Sequence, residues 1–156
     1  MMASIQNKKP GLVAFLPMQG TYDQTPDGFQ RLYAWIEEHG FKATGAPTAI
    51  YYNIAQNPSG SDAIWELQAS IKDEVPEAEP DESGVGVKMT PALTVVSTIH
   101  KGPYDSVTPT YQTLWEWVED NGYELSGAPM ERYLNDPNDV GEDECLTEII
   151  MPIEKV

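Results

Sequence analysis

Two glutamates stand inside runs of β-compatible apolar residues. Glu66 lies in Ala63-Ile64-Trp65-Glu66-Leu67-Gln68-Ala69-Ser70-Ile71, and Glu148 in Leu146-Thr147-Glu148-Ile149-Ile150-Met151-Pro152-Ile153. Strand side chains alternate faces, so Leu146, Glu148 and Ile150 share one face and Thr147, Ile149, Met151 and Ile153 the other. Both faces are mostly apolar, which is how a strand covered on two sides reads. A carboxylate there is costly unless it is paired, hydrogen-bonded or neutralised. Its chemistry would be recognition of an organic cation by charge and by aromatic ring faces. Trp65, Tyr51, Tyr133, Tyr104, Tyr111 and Trp115 are the rings expected to line such a cleft. Glu148 is the better candidate, because Gln68 and Ser70 make the Glu66 face more polar. At an effective dielectric near 20, an ion pair at about 4 Å gains roughly 4 kcal/mol before desolvation.

The elements that would position these residues come twice. Gly20-Thr21-Tyr22-Asp23 matches Gly102-Pro103-Tyr104-Asp105, a shift of 82 positions. Without a gap, the same shift carries Leu32 to Leu114, Trp35 to Trp117, Gly40 to Gly122, Gly45-Ala46-Pro47 to Gly127-Ala128-Pro129, Tyr51 to Tyr133 and Glu66 to Glu148. The chain is a duplication, with copy one at about 3–72, an acidic linker at 73–84 and copy two at about 85–156.

Each copy reads β-α-β-β. Leu12–Met18 and Leu93–His100 are β-branched, apolar stretches, so strands. A glycine turn follows. Thr25-Pro26 and Thr108-Pro109 open helices, with Pro at the first helical position. Phe29, Leu32, Tyr33 and Ile36, and Tyr111, Leu114, Trp115 and Val118, form the helical stripes, and Gly40 and Gly122 stop them. The Gly-Ala-Pro tripeptides read as turns into strands near Ala49–Ile54 and Met130–Leu134, and the glutamate strands come last. Val85, Val87 and Met89 predict one further strand, while Met1–Lys9 is weakly patterned. Halves this small cannot each bury a full core. They are expected to pack about a pseudo-twofold axis into a single α+β domain, a curved antiparallel sheet with two helices and a cleft on the axis.

The remaining candidates read as structural. His39 sits at a helix C-terminus, where its charged form suits the dipole, and His100 ends a strand. Neither has a nucleophile beside it in sequence. The acidic neighbours of Cys145 argue against a reactive nucleophile, and as the single cysteine it excludes an internal disulfide. The 136–144 loop departs from a calcium-binding pattern at Val140. No phosphate loop, zinc spacing or dinucleotide fingerprint occurs, so no metal or cofactor is expected. With 25 acidic against 9 basic residues and a formal charge of -16, direct binding to nucleic acid or an anionic membrane is disfavoured. A cytoplasmic monomer without a membrane span is expected.

His100-Lys101-Gly102-Pro103-Tyr104-Asp105, Tyr111, Leu114, Trp117, Gly122-Tyr123, Gly127, Pro129, Glu131, Tyr133, Asp136-Pro137, Thr147-Glu148-Ile149 and Pro152-Ile153 together resemble the GyrI-like small-molecule-binding domain. That family includes the effector-binding domains of multidrug-responsive AraC-type and MerR-type regulators and stand-alone gyrase-inhibitory proteins. The resemblance spans the chain and implies two β-α-β-β units with a ligand cleft between them. It implies that the family's cation-binding glutamate falls at Glu148 and its pocket tyrosine at Tyr133. Copy one departs from the pattern at Met18, Thr48-Ala49-Ile50 and Trp65. With the domain filling the chain, no helix-turn-helix segment is expected. A binder of amphipathic cationic or aromatic ligands is the leading expectation. The alternatives are a hydrolase of electrophilic cyclopropanoid genotoxins with Glu148 as general base and Tyr133 as donor, and an acidic protein partner of gyrase or of a regulator.

Overall fold

The structure is a computed structural model and describes residues 2–53, 62–136 and 138–156. Its strands and helices in chain order are β1 (Ser4–Lys8), β2 (Gly11–Gly20), α1 (Thr25–Glu38), β3 (Ala43–Tyr51), β4 (Ala63–Ile71), β5 (Gly86–Thr90), β6 (Leu93–Lys101), α2 (Thr108–Asp120), β7 (Tyr123–Leu125), β8 (Met130–Tyr133) and β9 (Leu146–Lys155). The class is α+β, and every strand pairing described is antiparallel. Ile54 and Pro137 lie outside the described residues. Among the described residues no helix is long and apolar enough to cross a membrane.

The chain divides into two compact units, residues 10–91 and residues 1–9 with 92–156. In the first, the strand order is β3-β4-β2-β5 with α1 packed on one face. Gly28 lets α1 come close: a Cβ there would lie 2.6 Å from Leu67 Cδ1 and 2.9 Å from Met18 Cε. In the second, the order is β1-β6-β9-β8, and β7 pairs with the far end of β9. Val96, Ile149, Met151 and Ile153 pack against Leu114 and Val118 of α2. This fixes which face of β9 looks at the helix.

The weakly patterned N-terminus forms β1, and it pairs with β6 rather than with its sequence neighbour β2. The repeat shift carries Ser4–Lys8 onto β5, which pairs with β2. Each unit is thus completed by the leading strand of the other repeat. One further feature differs from expectation. Gly45-Ala46-Pro47 lies inside β3, where the register against β4 slips between Thr44 and Thr48, so it is a bulge within a strand and not a turn before one. Gly45, at φ +73°, supplies the left-handed residue such irregularities favour. The 73–84 linker is fastened to the first unit: Trp35 Nε1 donates to Asp81 Oδ2 at 2.8 Å, Arg31 donates to the Ser83 carbonyl at 2.7 Å, and Ala78 bridges Val87.

Candidate ligand-binding site

In the second unit three elements converge on one carboxylate. Glu131 stands opposite Ile149, and Tyr133 opposite Thr147. Ile149 belongs to the core beneath α2, so strand alternation turns Glu131 and Tyr133 toward the helix as well. Tyr111 of α2 donates its phenol to Glu131 Oε2 at 2.5 Å, and Tyr133 donates to Oε1 at 3.1 Å. Glu131 is 9% exposed. Among the described residues no lysine or arginine forms an ion pair with it. Burial pushes its carboxyl above the usual range, opposed by the two phenol hydrogen bonds and by the charge of His100. A buried carboxylate held by short charge-assisted hydrogen bonds, with no lysine or arginine paired to it among the described residues, can attract a cation from outside.

The turn after β6 brings a third tyrosine. Tyr104 meets Tyr133 edge to face, ring centroids 5.5 Å apart, and is 41% exposed. Buried His100 ties this turn to the start of α2. Its Nδ1 lies 2.9 Å from Thr110 Oγ1, and its Nε2 lies 3.1 Å from the Pro103 carbonyl and 3.2 Å from Ser106 Oγ. A carbonyl only accepts, so Nε2 carries a proton and donates to the Pro103 carbonyl. Thr147, across from both Tyr133 and His100, is fully buried, and its hydroxyl has no hydrogen-bond partner among the described residues.

The matching positions of copy one are filled differently. Tyr104 and Tyr133 correspond to Tyr22 and Tyr51, and these rings meet edge to face in the same way at 5.3 Å. Glu131 corresponds to Ala49, Tyr111 to Phe29, His100 to Met18 and Thr147 to Trp65. The Trp65 indole is 1% exposed and lies 5.0 Å from the Tyr22 ring. An apolar plug in one copy is a polar cradle in the other.

The residues expected from the sequence fall into three groups. Tyr104, Tyr111 and Tyr133 come together around Glu131. Tyr51 and Trp65 come together with Tyr22. The two glutamates of the apolar strands belong to neither set. Glu148 alternates with Ile149 and so faces away from α2, opposite Arg132, which donates to its Oε1 at 3.1 Å. Lys8 is near this pair, its ammonium lowered by burial and by Arg132 and raised by Glu148. Glu148 also borders an open groove of about 670 Å³, with Met2, Gln6, Ser97, Ile99 and Lys101, where β6 runs on past the end of β1. Glu148 and Tyr133 therefore do not share a face. Glu66 is buried and neutralised: Lys88 Nζ lies 2.8 Å from Oε2, Gln68 donates to Oε2 at 2.6 Å, and the same ammonium sits 4.3 Å over the Phe15 ring. Burial, and Glu66 after it, pushes the Tyr52 phenol up to about 12. Trp115, one turn beyond Tyr111, is 40% exposed on α2. Among the described residues no cluster of His, Cys, Asp or Glu is placed to hold a metal ion.

Glu131 is the site residue that sequence reasoning did not select. It has no acidic counterpart in copy one, so the repeat did not mark it. The available signal was its spacing of two from Tyr133 in a strand, which puts both on one face.

Comparison with known proteins agrees in fold and extent. The family model for the GyrI-like small molecule binding domain matches residues 1–154. A protein of Erwinia billingiae named DNA gyrase inhibitor is 25% identical over 99% of both chains. The crystal structure of the EcmrR C-terminal domain is 26% identical with a TM-score of 0.79, over 99% of this chain and 98% of that one. Within the EcmrR–DNA complex the identity is 25% and the TM-score 0.85, and the chain spans 58% of that regulator's length.

Proposed function

The chain belongs to the GyrI-like small molecule binding domain family, and on that footing we propose that it is a cytoplasmic binding domain that senses or sequesters an amphipathic cationic ligand. The carrying observation is Glu131, a buried carboxylate held by Tyr111 and Tyr133, with Tyr104 at its mouth and no basic ion-pair partner among the described residues. The tyrosine rings supply faces for the apolar part of the ligand, and Glu131 supplies the charge. Glu148, already engaged by Arg132, is a weaker attractor and acts from the neighbouring groove. The acid-free copy-one positions around Trp65, Tyr51 and Tyr22 support a role in shape rather than in charge. The likeness to a regulator's C-terminal domain supports a sensing role.

Titration with tetraphenylphosphonium against a neutral aromatic of similar size, followed by tryptophan fluorescence, tests this reading. Saturable quenching by the cation, lost in Glu131→Gln and kept in Glu148→Gln, is expected. Equal binding of the cation by wild type and Glu131→Gln would overturn it.

Hydrolysis is a second reading, favoured by one distance. The Tyr133 hydroxyl lies 3.1 Å from Glu131, so a proton donor and a carboxyl base raised toward neutrality share one cradle. In this reading Glu131 takes the base role in place of Glu148. Turnover of an electrophilic cyclopropane that Glu131→Gln abolishes would favour it over simple binding.

A further inference from the structure

The 82-residue shift carries β1 onto β5, so that Ile5 falls on Val87 and Asn7 on Met89. Each is an edge strand of its own unit, β5 pairing with β2 and β1 with β6. Their outer edges differ. On β5 the acidic linker caps the edge: Val87 and Ala78 exchange two backbone hydrogen bonds of 2.9 Å, and the Met89 N–H donates to Glu77 Oε1 at 2.8 Å. Val87 is 4% exposed. Farther along the linker, Asp81 accepts from the Trp35 indole at 2.8 Å.

On β1 the same groups are uncapped. The Gly102 N–H donates to the Cys145 carbonyl on the β9 side, so strand alternation aims the backbone groups of Val95 and Ser97 at β1. Gln6 and Ser4 stand opposite them, which turns the N–H and C=O of Ile5 and Asn7 outward. These groups meet no hydrogen-bond partner among the described residues, and Ile5 is 46% exposed. Trp117 is the counterpart of Trp35 and sits in similar surroundings: Trp35 lies 5.9 Å from Phe41, and Trp117 lies 6.0 Å from Tyr123, the matching position. The Trp117 indole N–H also has no acceptor among the described residues.

We infer that the outer edge of β1 docks an acidic, extended segment of a partner protein by strand addition. The segment follows the linker's own pattern of glutamate, small residue, two spacers and aspartate, as in Glu77-Ala78-Glu79-Pro80-Asp81. Its small residue pairs with Ile5, its glutamate accepts from the Asn7 N–H, and its aspartate accepts from the Trp117 indole. Main-chain bonds at such an edge supply affinity, and the flanking side chains supply selection. Lys8 and Lys9 follow Asn7 directly, at the end of the edge where the glutamate stands, so local charge favours an acidic segment. A second copy would bring its whole charge of -16 to the same edge, whereas a short segment brings only a few carboxylates. This surface uses no residue of the Glu131 site and stands apart from the cation reading.

The probe is a synthetic peptide with the sequence of residues 74–83, beside a control peptide in which every Glu and Asp is Gln or Asn. Each is titrated into the isotope-labelled full chain, and amide shifts and hydrogen exchange are followed by NMR. The acidic peptide is expected to shift the Ile5, Asn7 and Trp117 indole N–H signals and to slow exchange at Ile5 and Asn7. It should bind at least roughly tenfold more tightly than the control. Ile5→Pro removes an N–H that faces away from β6, so β1 should still form. That variant should lose the peptide and bind tetraphenylphosphonium as wild type does. If it fails to fold, Trp117→Phe carries the test, with an expected loss of roughly fivefold in peptide affinity. No saturable binding, equal binding of the control, binding unchanged in the variant used, or shifts at Val87 and Met89 in place of Ile5 and Asn7 would each overturn the proposal. Dimerisation of the free chain that Ile5→Pro abolishes would overturn it too, by giving the edge to a second copy.

Discussion

Tyr111 donates its phenol to Glu131 at 2.5 Å, joining α2 to the strand beneath it through a partly buried hydrogen bond. The bond serves stability and site together, since it holds the helix and orients the carboxylate. Tyr111→Phe leaves Glu131 with the Tyr133 donor and a loss of about 1–3 kcal/mol is expected at neutral pH, read by urea denaturation. Glu131→Gln removes the buried charge; one phenol keeps the amide oxygen as acceptor, and the other can turn its hydroxyl to accept from the amide N–H. The stability of this variant should equal or exceed wild type while cation binding is lost. A large loss of stability in Glu131→Gln would show that the charge is needed for folding.

The pH dependence has a definite sign. The folded Glu131 carboxyl titrates above its unfolded value because of burial. The unfolded state therefore gives up its proton first as pH rises, and stability from this group falls between the ordinary glutamate range and the raised folded value. Cation affinity runs the other way, since only the ionised carboxylate attracts it, and should weaken as pH falls through that raised value. Tyr111, Tyr133 and His100 are the other titratable groups that interact with this carboxyl. Binding curves from pH 4 to 8 check this: wild-type affinity should rise with pH through the raised value, and Glu131→Gln should show no such gain.

Arg132 and Glu148 form a pair on the opposite face, with side chains 34% and 12% exposed. Removing the arginine leaves a largely buried carboxylate without its donor, and Arg132→Ala should lose about 1–2 kcal/mol, less than for a fully buried pair because solvent reaches the guanidinium. The same variant should leave cation affinity within about threefold, because Glu131 is untouched. A large gain in cation affinity would instead identify Glu148 as a binding carboxylate released from its partner.

Gly86 touches the strapped linker. A Cβ there would lie 2.7 Å from the Ala78 carbonyl and 2.8 Å from the Phe15 ring. One contact is backbone and cannot give way by changing a rotamer, so Gly86→Ala should cost about 1–3 kcal/mol through overpacking. It should also speed protease cleavage within 73–84. Cleavage at the wild-type rate would mean that the Ala78–Val87 bridge does not hold the linker.

Period-two and helical patterns made β2, β4, β6, β9 and both helices legible, because those signals reside in neighbouring residues. The repeat made the two tyrosine pairs legible for the same reason: matched positions imply matched packing. β1 was not legible, since Ser4–Lys8 has few apolar residues and forms as an edge strand whose backbone is satisfied by β6. The bulge at Gly45-Ala46-Pro47 read as a turn because its glycine and proline signal a change of direction, and only pairing with β4 on both sides made it part of a strand.

Sequence alone determined the α+β class, the charge and the set of tyrosines available for a site. Tertiary structure decided which carboxylate they surround. Glu66 and Glu148 stood out because they interrupt apolar runs, yet each lies on a face where Lys88 or Arg132 reaches it. Glu131 stands in a short strand and was marked only as one of the residues of the family resemblance, but register against β9 turns it under α2, where the Tyr111 and Tyr133 phenols meet it. The cost of a buried charge depends on its partners, and those partners are brought by pairing between distant strands and by helix packing, which local pattern does not encode.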